Sequence, residues 1–212
     1  MKPLTTNPQI NNDKKELLKC ISVFSLILSS FLFVSIISKE DFLLLSQVLL
    51  LFSGWLCWTF IEYINHRFWS HSDLIKKKGN LYEVHMQHHH HPTEIKISDL
   101  QRIVMLLVNI GLVVLSFMQQ NFITFITGLV SGFVLYSFMH VILHQQWSAK
   151  LFPQLHQFHI HHHCKYPNHC FGVSVIWWDL LFKTSPPHEA KISDRILAFY
   201  YKQEKKAKIS PC

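Results

Sequence analysis

At 212 residues the chain has room for one domain or little more, and its apolar residues fall in long blocks with few charges between them. That distribution points to a membrane and away from a water-soluble core. A formal net charge of +7 would suit nucleic acid, but no basic–aromatic recognition module is present and the Lys and Arg residues flank the apolar blocks, so orientation on a bilayer accounts for them and no nucleic-acid partner is expected.

Residues 1–15 are polar and read as an N-terminal tail. From about Leu17 to Ile37 the chain is apolar for roughly 20 residues, enough for one helical crossing. A cleaved signal peptide competes for that stretch, but the first alanine is Ala149, so no A-x-A cleavage site exists. A second apolar run, from about Phe42 to Tyr63, is separated from the first only by Ser38–Asp41, which predicts a tight hairpin. A third run, from about Ile103 to Met118 and beginning somewhat earlier, meets a fourth, from about Phe122 to Leu143, across a turn at Gln119–Asn121. Phe171–Phe182 is apolar but only 12 residues long, so it is expected in the membrane interface. Residues 191–209 mix Ile, Leu, Phe and Tyr with lysines, the pattern of an amphipathic helix on a charged membrane face. The run Lys76–Lys78 reads as a solvated charge cluster.

With four crossings in two hairpins, both termini and every histidine segment fall on one side. Nineteen of the 20 Lys and Arg residues share that side and only Lys39 is opposite, which makes it cytoplasmic by the positive-inside rule. The expected fold is an all-α integral membrane protein, four transmembrane helices in two hairpins beneath a cytosolic, histidine-rich helical cap, set in a bacterial inner membrane or endoplasmic reticulum. Cys20 and Cys57 lie in apolar runs and read as buried thiols, Cys164 and Cys170 flank a histidine region without being needed as ligands, and the odd set completed by Cys212 implies no disulfide framework.

Ten of the 16 histidines fall in four spacings: His66/His71 as H-x4-H, His85/His88/His89 as H-x2-H-H, His140/His144 as H-x3-H, and His159/His162/His163 as a second H-x2-H-H. Residues three and four apart share a helix face, so each triplet is expected to converge on one point. His66 and His71 are five apart, about 140° around an ideal helix. The helix should therefore end or bulge between them, or the two should serve different metals. Neutral imidazole is the commonest metal ligand near physiological pH and suits iron, zinc and copper. Ten such ligands fit two ions better than one, and gathered at the bilayer edge they mark function. A lone histidine near a helix end is usually an interfacial or capping residue; ten on one side of four spans are not. His90, His91, His156, His161, His169 and His188 read as surface residues or supports behind the ligands, with His156 and His161 taken as supports. Glu62, four residues before His66, is expected either to orient that imidazole or to pair with a nearby Arg or Lys. Asp179 in Trp-Trp-Asp is a similar support. A metal transporter would need polar or ionisable residues within the spans, and these are nearly free of charge.

Glu62-Tyr63-x-x-His66-Arg67, the two H-x2-H-H boxes, Phe171-Gly172-Val173-Ser174 and Trp178-Asp179-x-Leu181-Phe182 together resemble the fatty acid hydroxylase superfamily, which also holds sterol desaturases, sterol methyl oxidases and carotenoid hydroxylases. The resemblance covers about Glu62 to Thr184 together with the spans. The ten-histidine set, with 15 residues from His144 to His159, is similar to that of fatty acyl 2-hydroxylases, whereas His144-Gln145-Gln146-Trp147 is nearer the carotenoid hydroxylases. Phe182-Lys183-Thr184 departs from the family's usual Phe-Gly-Thr, with little consequence expected. The resemblance implies two iron ions and O₂ as co-substrate, a C–H bond of a bilayer lipid as target, and a separate electron donor, cytochrome b5-like or ferredoxin-like with its reductase. Hydroxylation of a fatty acyl chain is expected first, and sterol or carotenoid hydroxylation or desaturation second. No protein general base is assigned. The chain then divides into the tail (1–15), a hydroxylase-like membrane catalytic domain (16–190) and an amphipathic basic C-terminal segment (191–212).

Overall fold

A computed structural model of the chain describes residues 8–37, 43–72, 80–94, 97–118, 122–187 and 191–201. In chain order these form α1 (Pro8–Ile37), α2 (Leu43–Ile64) running straight into a π-helical turn (Asn65–Ser70), α3 (Asn80–His90), α4 (Asp99–Met118), α5 (Phe122–Leu143), the short α6 (Ser148–Leu151), α7 (Pro153–Cys164), the short α8 (Trp177–Leu181) and α9 (Asp194–Tyr201), with no strand among the described residues. Four helices, α1, α2 with its π turn, α4 and α5, are long and apolar enough to cross a membrane. Leu26 and Phe33 on α1, and Leu107 and Phe117 on α4, are exposed on their outer faces, which water would penalise and lipid tails would not.

The central pair is α2 and α5, with α1 packed on α2 and α4 on α5. Lipid gives packed helices no hydrophobic drive, so close backbone approach through small residues takes its place. A Cβ added at Gly54 of α2 would lie 2.0 Å from the Phe125 carbonyl oxygen, and one at Gly128 of α5 would lie 2.0 Å from that of Leu51. No side chain fits at either point. The C-terminal ends of these two touching helices carry His66 and His140.

Two expectations need correction. α1 begins at Pro8, so much of the stretch read as a tail is helical. Its polar side chains meet partners: Ser72 donates to the Asp13 carboxylate, and Arg67 lies 3.7 Å from Glu16. α9 does not offer its apolar face to a membrane surface, because Tyr200 is wholly buried with Ile160 and Cys164 of α7, and Ile192, Ile196 and Leu197 pack on that cluster. Phe171–Phe182 holds only a five-residue helix. Within it Phe171, Trp178 and Phe182 join Phe24 and Phe60 in the core, while Trp177 and Leu180 stay exposed. The turns at Ser38–Asp41 and Gln119–Asn121, the run Lys76–Lys78, His188, residues 202–209 and Cys212 lie outside the described residues.

Candidate metal centre

Two groups of imidazoles form where α2, α3, α5 and α7 meet. The first is His66, His71, His85, His89 and His162, and the second His88, His140, His144, His159 and His163. Within each group one ring nitrogen per histidine lies within 4.8 Å of all the others. All ten histidines of the four spacings are here, but the triplets do not converge as expected. His85 and His89 enter the first group while His88 enters the second, and α7 does the reverse, sending His159 and His163 to the second and His162 to the first. Helix geometry explains the split. Positions i and i+4 differ by about 40° around an α-helix, whereas i+3 falls about 60° to the other side of i. Each box therefore addresses two points, and the two helices exchange one ring each.

The π turn solves the H-x4-H spacing. Its hydrogen bonds run from i to i+5, so His71 comes back nearly under His66 where an α-helix would turn it away. The two rings lie 5.3 Å apart, centroid to centroid, in one group. The expected bulge is thus present, and the two histidines share a group.

The Nε2 atoms crowd together within hydrogen-bond distance, with fewer protons than close contacts to share. His85 Nε2 is 3.1 Å from that of His66, 2.7 Å from that of His71 and 2.9 Å from that of His89. His88 Nε2 is 2.9 Å from His140 Nε2 and 3.1 Å from His144 Nε2, which is 3.1 Å from His159 Nε2. A neutral imidazole has a single N–H. His66, His162 and His88 spend theirs at Nδ1, donating to the carbonyl oxygens of Phe171 (2.6 Å), His169 (2.8 Å) and Glu94 (3.1 Å). Their Nε2 atoms are therefore bare lone pairs aimed at other nitrogens. Imidazolium does not resolve the crowding: burial first, then the neighbouring imidazoles, lowers His71 to about 2 and His89 to about 3, and holds His85, His144, His159, His162 and His163 well below the usual histidine range. Five imidazoles per group at this spacing, three of the ten with Nε2 fixed as a bare lone pair, fit one cation per group. Cys164 and Cys170 are buried and belong to neither group.

The carboxylates act one step further out than expected. Among the described residues Glu62 bonds neither His66 nor a cation: Oε1 accepts from the backbone N–H groups of Val173 (2.6 Å) and Ser174 (2.9 Å), and Oε2 from the Ser174 hydroxyl. Asp179 accepts from the N–H groups of Phe171 (2.9 Å) and Gly172 (2.8 Å) and from the Thr184 hydroxyl (2.7 Å). Four consecutive amides, 171 to 174, are thus clamped by two buried carboxylates, and the clamped segment presents the Phe171 carbonyl to His66. Gly172 is required there, since a Cβ would lie 1.9 Å from the Val175 carbonyl oxygen. Arg67 donates to the Tyr63 hydroxyl (2.8 Å), which lies 3.1 Å from Thr184 Oγ1, tying the motif Glu62-Tyr63-x-x-His66-Arg67 to the same segment.

His156 does not support the ligands by a hydrogen bond to any of them; its Nε2 meets the Tyr201 hydroxyl and its ring stacks on Tyr201. His161 is buried against Tyr166, outside both groups. His90 and His91 are exposed, and His169 contributes its carbonyl. The sequence reading missed the carbonyls of Phe171, His169 and Glu94, because any residue type supplies one. It also missed Tyr200, which stacks on His144 with ring centroids 4.8 Å apart and donates to the Leu143 carbonyl (3.0 Å).

A cavity of about 850 Å³ opens onto both groups through His66, His85, His88 and His140. Trp58, Val84, Ile97, Phe133 and Val173 supply apolar wall, and Arg102 also lines it.

Four membrane-length helices, with α3 and α7 completing two five-imidazole groups beside a cavity, define a multi-pass membrane protein with a candidate two-metal centre. The fatty acid hydroxylase family model matches residues 51–184, a stretch that contains all ten histidines, and the chain belongs to that family. It is 32% identical over 152 residues to fatty acid 2-hydroxylase of Mus musculus, an alignment covering 65% of this chain and 39% of that protein. It is 28% identical over 150 residues to dihydroceramide fatty acyl 2-hydroxylase FAH1 of Arabidopsis thaliana, covering 65% of this chain and 60% of that one. The chain thus spans roughly two to three fifths of the length of these curated relatives. A solved structure described as full-length scs7p, with only the hydroxylase domain visible, aligns over 84% of this chain and 69% of its own at 22% identity and a TM-score of 0.49.

Proposed function

We propose that the chain is a membrane-bound, O₂-dependent oxidase that hydroxylates a lipid acyl chain, using two iron ions held by the two histidine groups. The observation that carries this reading is the convergence of ten neutral imidazoles on two points beside one cavity. Iron held there supplies the O₂ chemistry that attacks an unactivated C–H bond. The chain's own residues do the rest. Apolar walls from Trp58, Phe133 and Val84 take an alkyl chain and keep water out. The clamped 171–174 segment fixes the rotation of His66 through its Nδ1–H. The relatives' names, fatty acid 2-hydroxylase and dihydroceramide fatty acyl 2-hydroxylase, favour a fatty acyl chain over a sterol or carotenoid. Electrons come from a separate cytochrome b5-like or ferredoxin-like donor. The histidine groups and both termini face the cytoplasm, in a bacterial inner membrane or endoplasmic reticulum.

Expressing the protein in a host without such an activity, under ¹⁸O₂, and profiling lipids by mass spectrometry tests this directly. The expected product is an acyl chain carrying one ¹⁸O, absent with His85→Ala or His162→Ala while both variants still reach the membrane. Full product from both variants would remove the basis of the proposal. Labelled oxygen on a sterol or carotenoid would redirect the substrate assignment and keep the centre.

A further inference from the structure

The cavity contains a cation that the histidine chemistry leaves unused. Arg102, in the first turn of α4, lines the cavity and is only 5% exposed. An arginine at a membrane edge ordinarily extends its head into the water; this one turns inward. Among the described residues its guanidinium makes one polar contact, Nη1 to Asp99 Oδ1 at 2.7 Å, and the Asp99 side chain is 93% exposed. Water screens such a pair and leaves it weak. The Arg102 Nε is buried and has no hydrogen-bond partner among the described residues. A guanidinium so enclosed is costly until an anion completes it. Two carboxylates line the same cavity: that of Glu62 is occupied by three donors from residues 173 and 174, and that of Glu94 makes no ion pair with Arg102 among the described residues. The vacant guanidinium edge therefore looks for its anion outside the protein, and its planar fork matches a carboxylate or phosphate. The same cavity has alkyl-compatible walls and leads to His66, His85, His88 and His140.

We propose that Arg102 anchors the polar head of the lipid substrate, binding the oxyanion of an acyl carboxylate or of a lipid phosphate and thereby setting how far along its chain the lipid meets the histidine groups. This rests on the acyl-lipid reading above but is tested by binding, which needs neither O₂ nor an electron donor.

The test uses the full chain, metal-loaded and in detergent micelles, with labelled palmitate, methyl palmitate, dipalmitoyl phosphatidate and dipalmitoylglycerol in equilibrium binding. Wild type should bind at least one anionic lipid more tightly than its neutral counterpart. Arg102→Gln should weaken that anion by about tenfold or more, the scale of a lost charged hydrogen bond, and leave the neutral lipid unchanged. Asp99→Asn should not weaken it. Metal content equal to wild type shows that the Arg102→Gln protein is folded; should it not fold, wild type and Arg102→Lys carry the test. Palmitate losing affinity assigns a carboxylate, and phosphatidate losing affinity assigns a phosphate. Equal wild-type affinities for each acid and its neutral counterpart, or affinities indifferent to Arg102→Gln, would overturn the proposal. Anion binding that depends on Arg102, together with no ¹⁸O-labelled lipid in the profiling above, would sink the oxidase reading and keep the anchor.

Discussion

Lys183 stands where the family motif has glycine, and the backbone shows why glycine is usual. Its φ is 56°, in the left-handed region. The Thr184 N–H returns to the Asp179 carbonyl (2.8 Å) and the Lys183 N–H to that of Leu180 (3.4 Å), the bond pair of a Schellman cap on α8. That cap aims the Thr184 hydroxyl at Asp179, one of the two clamping carboxylates. The departure therefore carries a small backbone cost. Lys183→Gly should raise unfolding stability by about 0.5 to 1 kcal/mol, read from denaturation in mild detergent. Glu62→Ala acts the other way. It leaves two buried amides and a hydroxyl without their acceptor, so stability should fall by about 2 to 4 kcal/mol and product with it; unchanged thermal stability would show that the clamp is not what holds the segment. The ten clustered histidines were legible at this scale because only histidine offers imidazole. The partners of Glu62 and Asp179 were not, because most of them are backbone N–H groups, which leave no letter in a sequence.

Among the elements, the four long helices could be read from apolar run length, since lipid admits little else. The start of α1 could not. Polarity suggested a tail, but Asp13 and Glu16 face Ser72 and Arg67 across the fold, partners that no local pattern announces. The spacing of His66 and His71 left three outcomes open, a helix end, a bulge or two different metals, and the π turn, a bulge, puts both in one group. The exchange of rings between α3 and α7 was hidden because three- and four-residue spacings share a face whether they serve one point or two. The contact of α2 with α5 turns on Gly54 and Gly128. Gly128→Ala puts a methyl against the Leu51 carbonyl and should cost about 1 to 3 kcal/mol. Because His66 and His140 ride on the separated helices, the bound metal measured by elemental analysis should fall as well; normal metal content would show that the groups tolerate the displacement.

At the scale of the whole molecule, one bundle end collects ten imidazoles whose crowding a pair of cations would relieve. Ligands that bind only the folded state add stability in proportion to the logarithm of their excess over Kd. Chelation should therefore lower Tm markedly, and restoring ferrous iron should return it, with about two ions bound per chain. A Tm indifferent to chelator would mean that the imidazoles are self-sufficient. Orientation belongs here too. A reporter fused after Cys212 should face the cytoplasm; an external signal would change the number of crossings.

His88 and His89 are neighbours in sequence, as are His162 and His163, yet each pair is divided between the two groups, and the His89 and His163 rings stack at 4.5 Å across the divide. An ion captured by the first group would tie α3 to α7, the same helices from which the second group draws three of its five rings. The ordering entropy of the second capture has by then been spent. Iron should consequently load in pairs: native mass spectra taken at half-equivalence should show empty and doubly occupied chains, with the singly occupied species scarce.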